Sequence, residues 1–133
     1  MKILSKRLLA ICSVIFLSTI AQSVLAGPVY THRSTIFTLD SGWAADSYSV
    51  RLVTDSGSGT YTNPAGCAAP QAGYVTSPSD PGRRLYQDQL REAFLSKLSV
   101  TLLISDTVCT FGKPTIISVG YCRPDVNHGL TCP

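Results

Sequence analysis

Charge is scarce in this sequence. Asp, Glu, Lys and Arg make up 14% of the 133 residues, and the formal net charge is +3. Even that excess is local. Three of the cations, Lys2, Lys6 and Arg7, stand at the extreme N-terminus, and residues 27–133 carry as many acidic as basic side chains. A chain without a basic surplus cannot neutralise a phosphate backbone, which excludes nucleic-acid binding driven by charge. A polybasic membrane anchor falls for the same reason. Histidine is rare: only His32 and His128 could serve as a base at neutral pH, and each sits in a polar segment near a chain end, where solvation is the default. There is no Gly-x-Ser-x-Gly elbow, no phosphate loop, no EF-hand loop and no dinucleotide fingerprint. No Cys-x-x-Cys or paired-histidine spacing suggests zinc. The carboxylates Asp40, Asp46, Asp88 and Glu92 carry no further mark of catalysis. Nothing therefore calls for an enzyme, a metal or a cofactor.

What is present begins with an export signal. Lys2, Lys6 and Arg7 form a basic lead, Leu8 to Ala21 is an apolar run, and Val24-Leu25-Ala26 offers small side chains for cleavage before Gly27-Pro28. The run is too short for a good membrane span. Residues 1–26 thus read as a secretory signal peptide and residues 27–133 as one small domain, periplasmic or secreted, with no span left after cleavage. Ile11 before Cys12 argues against a lipoprotein, because a small residue is needed there.

The exported part keeps Cys67, Cys109, Cys122 and Cys132. An even count in a small exported domain reads as disulfides, and four cysteines allow three connectivities. The expected pairs are Cys67–Cys109 and Cys122–Cys132. The first ties a loop to a distant turn and the second clamps the tail onto the last strand. Loop closure makes the first worth about 4 kcal/mol and the second about 3 kcal/mol. With all four paired, no cysteine remains as a nucleophile.

Hydrophobic patterning predicts a mainly β chain with one helix. Strands are expected at Ser34–Leu39, Tyr48–Thr54, Gly73–Thr76, Ser99–Ser105 and Thr115–Cys122. In the last, Ile117, Val119 and Tyr121 share one face. Asp-Ser-Gly follows each of the first two strands, at Asp40 and Asp55, and reads as turn chemistry. Residues 55–72 form a long Gly/Ser/Pro/Ala loop. The helix signal is an Asp80 N-cap, Pro81 in the first turn, and Tyr86, Leu90, Ala93 and Phe94 at helical spacing. Asp88 and Glu92 are expected to pair with Arg84 and Arg91 on the solvent face. The order strand, strand, strand, helix, strand, strand fits a small barrel of the oligonucleotide/oligosaccharide-binding (OB) type, with the helix plugging one end. An open antiparallel sheet with the helix on one face is the alternative.

Leu85-Tyr86 opening an amphipathic helix, the apolar strand Val100 to Ile104, and the ending Val119-Gly120-Tyr121-Cys122 resemble the second half of bacterial toxin B subunits of the subtilase-cytotoxin and pertussis-like type. That resemblance implies an OB-type barrel, a ring pentamer, binding of cell-surface glycans, often sialylated, and a catalytic toxin subunit as partner. The first half departs from the family. It has no counterpart of the Trp-containing N-terminal segment or the Ser-bearing sugar loop, so no glycan-contact residue carries over.

The residues themselves offer two candidates for ligand contact. Trp43, between Gly42 and Ala44, stands in a turn-rich loop and reads either as a stacking surface or as a core plug. Tyr61, in the Gly/Ser loop, is the second. Tyr48, Tyr86 and Tyr121 are expected inside, and Arg83 and Arg84 begin a solvated helix. The leading expectation is a non-enzymatic glycan-binding subunit of a toxin-like homo-oligomer. The rival is a monomeric periplasmic protein that binds or blocks an enzyme through the loop 55–72.

Overall fold

The computed structural model describes residues 27–42 and 44–121. The expected signal segment 1–26, Trp43, Cys122 and Cys132 lie outside the described residues, and with them the expected Cys122–Cys132 bridge.

The chain is mainly β. Its strands are β1 (Val29–Tyr30), β2 (Ser34–Ser41), β3 (Tyr48–Leu52), β4 (Tyr74–Thr76), β5 (Ser99–Thr110) and β6 (Lys113–Tyr121). A short helix α1 (Val53–Ser58) follows β3, a single 3₁₀ turn covers Pro70–Ala72, and the longer helix α2 (Arg83–Leu95) lies between β4 and β5. The pairings β2–β3, β3–β4, β5–β6 and β5–β2 are antiparallel and β4–β6 is parallel. These five strands therefore form a closed circuit of neighbours in one six-stranded sheet. β1 is added along β5, opposite Leu103 and Ile104.

Alternating side chains turn one face of the circuit inward. Val50, Leu52, Tyr74, Val100, Leu102, Ile104 and Ile116 are fully buried there. Leu90 and Ala93 of α2 complete the core, so the helix covers apolar surface that the strands leave open. Among the described residues no helix is long and apolar enough to cross a membrane.

Several sequence expectations shift, each for a tertiary reason. β3 stops at Leu52 rather than Thr54, because the Thr54 amide donates to Ser34 Oγ at 3.0 Å and the chain coils into α1. The expected turn at Asp55 is thus a helical turn. It closes with Gly59 in the left-handed region, where its amide donates to the Asp55 carbonyl at 2.8 Å. β5 runs to Thr110 instead of ending at Ser105. Ser105 Oγ accepts from the Thr107 and Val108 amides, and the irregularity stays inside the strand. Phe111 and Gly112, at φ 52° and 75°, then make the tight hairpin turn into β6.

In β6 the register slips opposite Leu103 and Ile104, which pair with Ser118 and Ile116. Ile117 is the extra residue, so the core receives Ile116 and Val119 together. The predicted face of Ile117, Val119 and Tyr121 is therefore broken, and Tyr121 is exposed rather than inside. α2 begins at Arg83. Asp80 caps the turn before it, accepting from the Gly82 amide at 2.7 Å. Gln87 is buried and donates to Thr76 Oγ1 and the Asp46 carbonyl. Arg83 and Arg84 pair with Asp46 across the fold, at 3.1 and 3.6 Å. Phe94, expected inside, is partly exposed.

Candidate functional site

The segment after α1 is held from three sides. Cys67 is bonded to Cys109 of β5, with the Cα atoms 5.5 Å apart, the first of the two expected pairs. Asn63 closes a local clasp: its Oδ1 accepts from the Cys67 amide at 2.7 Å and its Nδ2 donates to the Cys67 carbonyl at 3.0 Å. The Ala69 amide donates to the Gly112 carbonyl at 2.8 Å, tying the segment to the β5–β6 hairpin. A run rich in Gly, Ser, Pro and Ala thereby becomes a fixed wall.

That wall, α1 and the β1 segment enclose a cleft of about 780 Å³. Val29, His32, Thr54, Asp55, Tyr61 and Asn63 are among its lining residues. Behind this lining, Tyr74 is fully buried and donates its hydroxyl proton to Asp55 Oδ2 at 2.6 Å. The same hydroxyl oxygen accepts from the Thr62 amide at 3.0 Å. A relay thus joins the wall carrying Tyr61 to the carboxyl of α1. The Tyr61 and Tyr74 rings lie tilted at 54°, with centroids 6.5 Å apart.

Burial sets the electrostatics. Asp55 is only 3% exposed, and loss of water pushes its carboxyl above the ordinary carboxylate value. The Tyr74 hydroxyl and the nearby His32 offset part of this. Tyr74 is driven well above the usual phenol value, first by burial and then by the bond to Asp55. The cleft therefore offers an aromatic surface, several hydroxyls and a buried acceptor that gains from a hydrogen-bond donor. Among the described residues no cluster of three or more His, Cys, Asp or Glu could hold a metal.

Of the two residues singled out for ligand contact, Tyr61 lines this cleft and Trp43 lies outside the described residues. Sequence reasoning missed Asp55 and His32. The first resembles a turn residue and the second a solvated one near a chain end. The other Asp-Ser-Gly, at Asp40, edges a smaller hollow of about 390 Å³ with Ser49 and Lys113. There Lys113 Nζ donates to Ser49 Oγ at 2.7 Å, and burial lowers the lysine below its usual value.

Comparison of the chain with protein-family models, with characterised proteins and with solved structures yields no match, so the functional reading rests on the residues and their geometry.

Proposed function

We propose that this chain is an exported, non-enzymatic binding subunit that recognises cell-surface glycans, built on an OB-type barrel and acting as a toxin-like ring of identical copies. The observation that carries the recognition reading is the Tyr61 cleft. An aromatic ring, hydroxyls from Thr54, Thr60 and Thr62, and the buried Asp55 carboxyl line one concave surface. A sugar ring presents the matching pair, an apolar C–H face and outward hydroxyl donors. The barrel reading is supported by the strand circuit β2–β3–β4–β6–β5, and by the place of α2 in the chain between β4 and β5.

Assembly is supported by apolar side chains that the protomer leaves in water. Leu85 and Leu95 of α2 are 61% and 67% exposed, and Phe37 of β2 is 57% exposed. In a ring, several weak sugar sites act together, and avidity raises effective affinity without new contacts. A catalytic toxin subunit is the partner this reading implies. The Cys67–Cys109 bond fits an oxidising compartment, periplasmic or extracellular. The rival, an inhibitor acting through a protruding loop, finds less support, because Cys67 and Ala69 of that loop are tied to Cys109 and Gly112 of the β5–β6 hairpin.

The test is a glycan array probed with the oxidised protein lacking residues 1–26, beside Tyr61→Ala. The proposal expects a defined set of glycans to bind and the variant to lose them while its melting temperature holds. An array that stays blank for the wild type removes the glycan reading.

A further inference from the structure

A second cleft, of about 530 Å³, lies on the other side of the β1 segment, against β5 and β6. Tyr30 and Tyr121 line it and are 63% and 45% exposed. Thr101 and Gly120, which pair across the β5–β6 ladder, line it as well. His32 and Arg33 are also among its lining residues.

Gly120 is the informative residue. Glycine weakens a strand, so its presence asks for a reason. Its φ is not among the positive values that favour glycine. A Cβ built there would meet only the Thr101 carbonyl oxygen, at 3.7 Å, which is ordinary contact. Neither backbone conformation nor packing among the described residues requires a glycine at 120. What the missing side chain does is leave the lining bare beside two exposed tyrosines. A bare glycine in a strand often marks close approach by another molecule.

The wall is also pre-set. The Thr31 amide donates to the Leu102 carbonyl at 2.8 Å, and Thr31 Oγ1 accepts from the Leu102 amide at 3.0 Å. This bonding continues the ladder between β1 and β2 and holds Tyr30 in place against β5.

We propose that this cleft is a second saccharide subsite, in which a pyranose ring lies over Gly120 and Thr101 against the exposed rings of Tyr30 and Tyr121. The tyrosines match the C–H face of a sugar, and the Thr101 hydroxyl matches its hydroxyls. The ligand class rests on the glycan reading above; the cleft and its unexplained glycine do not.

The test is amide NMR of the oxidised protein titrated with the methyl glycosides of glucose, galactose and N-acetylglucosamine. Saturable shifts at Thr101, Gly120 and Tyr121 are expected with at least one sugar. They persist in Tyr61→Ala, disappear in Gly120→Val, and require several-fold more sugar in Tyr30→Ala. Valine suits a strand, and Tyr30→Ala keeps the test intact if valine disturbs the fold. The subsite is overturned if no sugar moves these amides, or if the shifts survive both variants unchanged. Shifts here with none at Tyr61 and Thr62 would remove the first cleft's role and leave this one standing. The reverse pattern would remove this one alone.

Discussion

Asp40 and Asp55 share one local sequence, Asp-Ser-Gly, and finish in opposite environments. Asp40 is exposed at the end of β2, whereas Asp55 is buried and accepts a hydrogen bond from Tyr74. Because burial raises its carboxyl above the ordinary 3.8, the folded state holds this proton more tightly than the unfolded chain does. Its stability contribution is therefore full below 3.8 and is lost as pH rises through the raised value. Asp55→Asn keeps an acceptor for Tyr74 and removes the titration. Urea melts across acid to neutral pH should show a flatter profile for the variant than for the wild type; identical slopes would show that the carboxyl is not destabilised by burial. Gly73 is the other residue whose identity the fold dictates. Its φ is 91°, and a Cβ would run into the Val50 carbonyl oxygen and, at 2.7 Å, Arg51 Cγ. Gly73→Ala is expected to cost on the order of 3 kcal/mol, read as a lowered melting temperature. An unchanged melt would mean that β3 and β4 can separate at no cost.

At the scale of elements, the segment between α1 and β4 owes its shape to cross-links rather than to propensity. Closing the 42-residue separation between Cys67 and Cys109 stabilises the fold by about 4 kcal/mol on the loop-entropy model. Replacing both cysteines by serine should lower the urea midpoint accordingly. It should also loosen the Tyr61 wall, seen as faster exchange of the Thr62 amide. If that amide stays protected, the Asn63 clasp and the Tyr74 bond suffice without the disulfide. The strands were legible because β-branched and aromatic residues alternate in β2, β3 and the first half of β5. Their ends were not. α1 forms over Val53–Ser58, which includes a glycine and two serines, because Ser34, Tyr74 and the Gly59 cap give its polar groups partners. In β6 the residue that bulges is Ile117, and no local pattern distinguishes it from Ile116.

Across the whole molecule, the question is what covers the exposed apolar side chains of α2 and β2. The proposed ring buries them between copies. Native mass spectrometry of the oxidised, signal-free protein is expected to give a fivefold mass. Leu95→Glu, on a residue 67% exposed, should reduce it to a monomer with its melting temperature kept. A wild type that is monomeric at micromolar concentration would defeat the ring and direct attention to a single partner protein.

The mainly β class, the position of the long helix and the use of cysteines in a disulfide followed from residue order alone, since alternation, helical spacing and cysteine count are local or countable properties; which of the three connectivities forms was decided by the fold, which brings Cys67 to Cys109. The sites followed a different logic. Tyr61 stood out as an aromatic in a polar loop, but Asp55, His32, Tyr30 and Gly120 have no local signature. They come together only when β1 lies along β5, α1 coils under Tyr74 and one bulge in β6 shifts its alternation. Burial and neighbourhood are properties of the closed strand circuit, and they decide which of two identical Asp-Ser-Gly segments has its carboxyl buried and bonded to a tyrosine.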